Sequence, residues 1–290
     1  MLAVQLGAAV SMAAQGTPAG GAGVRGSYSN QLGSRAFALH RPAALKAGVR
    51  TSLVVVLHGC GQSADDIATG TRMNAAADAS GFVVLYPEQS ASAHPLKCWN
   101  WYAPNETTRD KGEVAVLEGM IDSIATAMNA SSVSLVGMSA GGAMAVQLAV
   151  AYPERYAAIA VHSGVAALAA DNATRALGAM RDGPVRSDEL GARAVSAMGA
   201  RARGIPVILL QGADDKVVSP ANLPALVQQW TVINDASRGR GAPVEQHLIP
   251  GVGHAWSGGA EGATYTAPNG PDATAMIVDF FKRVGAIRVN

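Results

Sequence analysis

Val133-Ser134-Leu135-Val136-Gly137-Met138-Ser139-Ala140-Gly141 is an apolar run that turns into a G-x-S-x-G pentapeptide, and a helical segment continues from it to about Tyr152. Strand, sharp turn and helix in that order put a serine at the strand's C-terminal end. The chemistry needs glycine on both sides because the turn is strained, and a Cβ at either position would strike the neighbouring strand or helix. Such a turn lifts Ser139 Oγ clear of the sheet edge. It also sets the serine at a helix N-terminus, where unpaired N–H groups and the helix dipole favour the negative charge of acyl transfer.

A chain with 33 glycines can produce such a pentapeptide by chance, so the motif alone does not decide. The order of the later segments does. Ile205-Pro206-Val207-Ile208-Leu209-Leu210 reads as a buried strand, and Gln211-Gly212-Ala213-Asp214-Asp215-Lys216-Val217-Val218 as a turn with two aspartates. Val244-Glu245-Gln246-His247-Leu248-Ile249 alternates as a strand and runs into the glycine-rich turn Pro250-Gly251-Val252-Gly253-His254. Ser139, Asp215 and His254 thus fall at the C-terminal ends of strand candidates, the edge of a parallel sheet where ligands bind. Nucleophile, acid and histidine in this chain order predict an α/β architecture of the α/β-hydrolase type: a mostly parallel central sheet flanked by helices in three layers. Asp215 is the preferred acid because Gly212, Asp215 and Val218 fit G-x-x-D-x-x-V. Asp214 reads as a solvated or turn-capping neighbour, which spacing alone does not exclude.

In this arrangement Ser139 attacks an ester carbonyl, His254 carries the proton, and Asp215 orients and stabilises the imidazole. The oxyanion would meet the N–H groups of Ala140 and Cys60, the latter in Leu57-His58-Gly59-Cys60-Gly61-Gln62 after the strand candidate Leu53 to Leu57. His58 reads as a hydrogen-bonding residue of that loop. His40 and His94 read as surface residues, His162 and His247 as packing or hydrogen-bonded positions. The sequence contains no His-Glu-x-x-His, no cysteine-rich ligand spacing and no dinucleotide fingerprint, so neither metal nor organic cofactor is expected.

With 290 residues, 49% hydrophobic and 15% charged, the chain can bury a large core. Its net charge of +1 carries no basic stripe, which argues against nucleic acid and anionic membranes as partners. Residues 1–33 read as a signal-like or flexible segment before a catalytic domain over 34–290. Leu2 to Ala14 is apolar and the next stretch, Gln15 to Gly21, is flexible, but a basic start is missing and the run is too short to span a bilayer. Cys60 and Cys98 are either a disulfide, which fits export, or two free thiols, which fits a reducing cytosol.

Further expected elements are strands at 36–39, 82–86 and 157–161, and helices at 65–79, 113–128 and 272–284. Residues 164–204 form a helical excursion able to overhang the site.

Leu57-His58-Gly59-Cys60-Gly61-Gln62, Tyr86-Pro87-Glu88-Gln89, Cys98-Trp99-Asn100-Trp101, the run from Gly137 to Ala145, Gly253-His254-Ala255-Trp256-Ser257-Gly258-Gly259 and Tyr265 to Ala273 together resemble the poly(3-hydroxybutyrate) depolymerase family of esterases. The resemblance covers about residues 34–283. It implies a serine carboxylesterase, usually secreted, that hydrolyses short-chain hydroxyalkanoate polyester or oligomers. It also implies that Cys60 pairs with Cys98 and that Trp99 or Trp101 lines the polyester subsites. Gln211 departs from the pattern, since relatives often carry His there. Feruloyl and acetylxylan esterases share the broad family, so plant-wall esters are the second enzymatic reading. A catalytically silent binding protein on the same fold is the non-enzymatic one, opposed by the intact Ser139, Asp215 and His254.

Overall fold

Val54 and Val56 face one apolar cluster while Leu53, Val55 and Leu57 face another, so this strand is buried on both sides. That is the signature of a sheet with helices on both faces. The computed structural model describes residues 8–16, 22–46, 48–236 and 241–287. In chain order its strands are β1 (Ala9–Gly16), β2 (Ala22–Asn30), β3 (Gly33–Arg41), β4 (Thr51–Leu57), β5 (Val83–Glu88), β6 (Ala130–Met138), β7 (Ala158–His162), β8 (Val207–Gly212) and β9 (Val244–Ile249), with a short pair β10 (Trp256–Ser257) and β11 (Thr266–Ala267). The helices are α1 (Ala64–Thr71), α2 (Met73–Ser80), α3 (Pro104–Thr107), α4 (Gly112–Ala127), α5 (Ala140–Ala151), α6 (Ala173–Asp182), α7 (Leu190–Met198), α8 (Asn222–Ala236) and α9 (Ala273–Arg283).

Nine strands form one sheet in the order β1-β2-β3-β5-β4-β6-β7-β8-β9. The run β5-β4-β6-β7-β8-β9 is parallel and β1, β2 and β3 add antiparallel at one edge. One face packs on α4, α5, α7 and α8 through Leu117, Met144, Leu190 and Trp230; the other packs on α1, α2 and α9 through Ile67, Met73, Ile277 and Phe281. This is the three-layer α/β-hydrolase architecture expected. Because β4 lies between β5 and β6, the segments that leave β4 and β6 emerge side by side at one sheet edge.

Three differences from the sequence reading have physical causes. Strands β1 and β2 lie upstream of residue 34, inside the segment read as signal-like, and β2 pairs with β3 over its whole length from Asn30↔Gly33 to Ala22↔Arg41. Residues 1–7 and 17–21, which carry part of the apolar run and of the flexible stretch, lie outside the described residues. The single helix expected at 65–79 breaks at Arg72, whose φ of 54° is left-handed. The Arg72 N–H closes α1 on the Thr69 carbonyl and the Met73 N–H turns to Thr71 Oγ1 at 3.3 Å, while the Arg72 side chain donates at 2.7 Å to Asp272, the residue that caps α9. Finally, His40 is buried, not superficial, and its Nε2 lies 2.8 Å from Asp78 Oδ1. The 164–204 excursion is helical as expected, carrying α6 and α7.

Cys60 and Cys98 form a disulfide that closes a span of 38 residues. Loop-closure entropy of that size is worth about 4 kcal/mol in the unfolded chain. Replacing both cysteines with alanine is therefore expected to lower Tm by roughly 7 °C in thermal melts; an unchanged Tm would remove the disulfide from the stability of the fold.

Candidate active site

Ser139 sits between β6 and α5 with φ 56° and ψ −124°, a conformation L residues rarely adopt. A Cβ on Gly137 would stand 2.2 Å from the Gly141 carbonyl oxygen, and one on Gly141 would stand 2.2 Å from that of Leu57. No other residue fits at either position. The strained backbone is held by the Ser139 N–H, which donates to the His162 carbonyl at 2.9 Å, and by the Ala143 N–H, which donates back to the Ser139 carbonyl at 2.9 Å.

The turn after β8 and the loop after β9 bring the two other side chains to this serine. His254 Nε2 lies 3.0 Å from Ser139 Oγ, and His254 Nδ1 lies 2.8 Å from Asp215 Oδ2. Asp215 is buried, whereas Asp214 is exposed and takes no part in the histidine's hydrogen bonds. The N–H groups of Val217 and Val218 donate to Asp215 Oδ1 at 2.9 and 2.8 Å. Burial works to raise the Asp215 carboxyl, but the His254 hydrogen bond and charge and these two N–H donors outweigh it and hold it below the ordinary range. The carboxylate stays ionised and the imidazole stays oriented.

Gln211, where the chain departs from the family pattern, holds both the acid turn and its carboxylate. Its Nε2 donates to Asp215 Oδ2 at 3.1 Å, the same oxygen that faces His254, and to the Val218 carbonyl at 3.0 Å. Its position at the buried end of a strand, four residues before the acid, was the available sequence signal.

The loop after β4 passes on the other side of Ser139. Among the described residues neither the Cys60 nor the Ala140 N–H reaches a protein acceptor, and both residues line the cavity above the serine. Four constraints fix this loop. Cys60 is tied to Cys98, and the Gly61 N–H donates to the Leu96 carbonyl at 2.9 Å. The Gly59 N–H donates to Gln62 Oε1 at 2.9 Å, and Trp99 Nε1–H donates to the His58 carbonyl at 2.9 Å. His58 is a loop residue as expected: Nδ1–H donates to the Gly59 carbonyl at 2.7 Å and Nε2 accepts from the Gln89 N–H at 3.0 Å. Burial above all keeps it neutral by lowering its pKa.

Gln89 in turn donates to the Cys98 carbonyl at 3.0 Å and to Glu113, which also accepts from Arg35 and from the Asn100 N–H, each at 2.7 Å.

The cavity holds about 450 Å³. Leu96 and Trp101 line it from the loop that leaves β5, Ala176, Leu177 and Met180 from α6, and Tyr265 from the loop before β11. Trp99 does not. It is fully buried against His58, ring centroids 5.1 Å apart, so the role expected of it as a substrate contact is corrected to a support of the loop. Leu177 and Leu96 are exposed at the rim, and His94, read as a surface residue, also lines the cavity while its Nδ1 accepts from the Leu96 N–H at 3.2 Å. A second hollow of about 720 Å³ opens on the other side of α6, where the charges of Asp171 and Arg175 and of Arg186 and Glu189 pair with one another; Ser139 does not line it.

Directly beneath the site, His162 is fully buried and stacked on Trp256 at 5.2 Å, with its Nε2 accepting from the Ser257 N–H at 3.3 Å. Burial, and then the nearby His254, push its pKa down to about 3 against the opposing Asp215. The unfolded chain therefore binds a proton at His162 below about pH 6.5 that the folded chain refuses until about pH 3, so stability falls as pH drops through that window. Replacement by glutamine keeps an acceptor and removes the titration. The acid-induced loss of Tm between pH 7 and 4 is expected to be smaller in His162→Gln than in the wild type, and an equal loss would contradict this.

Among the described residues no group of three or more His, Cys, Asp or Glu side chains could hold a metal ion. The family model for esterase PHB depolymerase matches residues 34–245. Poly(3-hydroxyalkanoate) depolymerase C of Paucimonas lemoignei is 30% identical over 246 residues, 74% of this chain and 57% of that protein. Feruloyl esterase B of Thermothelomyces thermophilus is 30% identical over 194 residues, 62% of this chain and 64% of its own length. The chain thus spans less than two thirds of the length of either. Among solved structures, an acetyl xylan esterase from Aspergillus awamori superposes with a TM-score of 0.66 at 21% identity over 76% of this chain and 89% of its own. An S-formylglutathione hydrolase from Agrobacterium tumefaciens gives 0.62 at 17% identity over 97% and 100%. These two establish the shared fold alone. With most of its length matched by the family model and a relative at this identity over nearly three quarters of it, the chain belongs to the PHB depolymerase family of esterases.

Proposed function

We propose that this protein is a serine carboxylesterase that hydrolyses short-chain hydroxyalkanoate polyester or its oligomers, with Ser139, His254 and Asp215 as its catalytic groups. The observation that carries the reading is the continuous hydrogen-bonded line Ser139–His254–Asp215, at 3.0 and 2.8 Å, opening on an apolar cavity. Ser139 Oγ attacks the ester carbonyl while His254 Nε2 takes its proton. The oxyanion is received by the Cys60 and Ala140 N–H groups, both on backbone that does not need to move. The imidazolium then protonates the leaving alcohol, and in the second half a water loses its proton to His254 and attacks the acyl-enzyme, releasing the acid and Ser139.

The cavity wall supports the substrate class. Among the described residues no Lys, Arg, Asp or Glu side chain lines it, so an uncharged ester chain enters without stranding a charge in an apolar site, whereas a charged acyl group would lose its hydration with no partner. Trp101 and Tyr102 in the same wall favour, as the second reading, an aromatic acyl group such as ferulate.

Residues 34–290 are the catalytic unit in this account, with β1 and β2 extending its sheet. The Cys60–Cys98 disulfide supports secretion, since such bonds persist in oxidising compartments. Among the described residues no helix is long and apolar enough to cross a membrane.

Purified wild type and Ser139→Ala should be compared on amorphous poly(3-hydroxybutyrate), 3-hydroxybutyrate oligomers and methyl ferulate, with products identified by chromatography. Hydroxybutyrate release that falls on the order of 10⁶-fold in the variant is the expected result. Ferulate release alone would move the function to plant-wall esters, and release that survives in Ser139→Ala would overturn the mechanism. In the same assay Asp215→Asn is expected to lose about 10⁴ in kcat, by analogy with triad acids generally, against less than about threefold for the exposed Asp214→Asn. The reverse ranking would identify the other carboxylate as the acid.

A further inference from the structure

Tyr265 is an aromatic residue in a backbone conformation that bulky side chains avoid, with φ 53°. Its ring meets the His254 imidazole edge-on, centroids 6.3 Å apart at 76°, and it lines the cavity while remaining 51% exposed. The strain is therefore not offset by burying the ring in the core. Strain of this kind, imposed on a residue beside reacting groups, points to a ligand.

The surrounding structure holds Tyr265 from both sides of the site. On the histidine side, the Trp256 N–H donates to the Tyr265 carbonyl at 2.7 Å, and the ladder β10–β11 pairs Trp256 with Thr266 directly after it. On the oxyanion side, Gln62 accepts from Gly59 through its Oε1 and donates through Nε2 to Thr264 Oγ1 at 3.3 Å. Thr266 Oγ1–H closes the turn by donating to the carbonyls of Ala260 and Ala263, at 2.8 and 2.9 Å. The ring is thus positioned by the same two loops that carry His254 and Cys60.

We infer that Tyr265 forms the subsite for the alcohol portion of the ester, and that it selects an extended, uncharged alcohol over a small one. This rests on the serine-esterase reading above. In that reaction the leaving oxygen must come to His254 Nε2 to be protonated, while the acyl carbon is held between Ser139 Oγ and the Cys60 and Ala140 N–H groups. A side chain packed on the His254 ring and open to the cavity therefore touches what is attached to the leaving oxygen. The face of a phenol ring contacts a chain of methyl, methylene and ester groups, as found in a hydroxyalkanoate alcohol, and has nothing to contact in methanol. The contact belongs to the ring, so phenylalanine suffices.

The test fixes the acyl group as butyrate and varies the alcohol: methyl butyrate against methyl 3-(butyryloxy)butyrate. The readout is butyrate release, which excludes cleavage of the second, methyl ester bond of the larger substrate, expressed as the ratio of kcat/KM for the large alcohol to that for the small one. Tyr265→Asn removes the ring and tolerates the left-handed backbone; Tyr265→Phe keeps the ring. The expected result is a ratio well above one in the wild type, preserved in Tyr265→Phe and reduced at least about tenfold in Tyr265→Asn, mainly through KM for the large alcohol. A ratio unchanged in Tyr265→Asn, or a loss shared equally by both esters, would overturn the subsite and leave the esterase reading standing. Absence of Ser139-dependent hydrolysis of either ester by the wild type would overturn that reading and the subsite with it.

Discussion

The backbone of Ser139 is the constraint on which the rest of the site depends. Its φ of 56° and ψ of −124° are reached only because Gly137 and Gly141 leave no Cβ between α5 and the strands beneath it. The contact of Gly141 with the Leu57 carbonyl means that the first turn of α5 rests on the end of β4. The segment leaving β4 therefore has to pass beside the serine, and the place where a Cβ of Gly59 would stand is only 3.5 Å from Ser139 Cβ. Sheet order, the close approach of α5 and the placement of two unpaired N–H groups are one geometric fact seen from three directions.

What remains is to keep that loop still, since donors aimed at a developing charge are effective only if they do not reorganise during the reaction. Here the solution is a buried polar network together with one covalent tie. Arg35 and Glu113 are almost fully removed from water, which is tolerable because Glu113 also receives Gln89 and Asn100. Gln89 passes the constraint to His58, and Trp99 clamps the His58 carbonyl from the opposite direction. The disulfide then joins Cys60 to the loop that carries Trp99 and Trp101. The protein spends an unusual concentration of buried polar groups on immobilising this one loop, whereas the cavity it overlooks is left apolar.

Most of this was legible in the sequence wherever function depends on short-range signals. The G-x-S-x-G turn, the acid three residues after Gly212 and the histidine after a glycine-rich turn are local patterns, and the fold brings all three side chains together. Features set by distant partners were not legible. Nothing in residues 65–79 reveals that Arg72 will leave helical geometry, and the Asp272 that its side chain meets is 200 residues away. β1 consists largely of small residues, and in β2 the alternation of Val24 and Tyr28 with Arg25, Ser27 and Ser29 is diluted by Gly23 and Gly26, so their pairing becomes visible only once β3 is in place. Trp99 and Trp101 are equivalent in sequence, and only the position of the His58 carbonyl decides which is buried support and which is wall. Gln62 acts through its side-chain amide on Thr264, 202 residues away, a partner that the chain order does not announce.

The central claim is that this strained, hydrogen-bonded serine is the nucleophile. Reaction of the oxidised protein with a fluorophosphonate, then intact mass and peptide mapping, tests it most directly. One adduct per chain is expected, located on Ser139 and absent from a His254→Ala variant that melts like the wild type. An adduct on another serine, such as the neighbouring Ser163, or full labelling without His254, would contradict it.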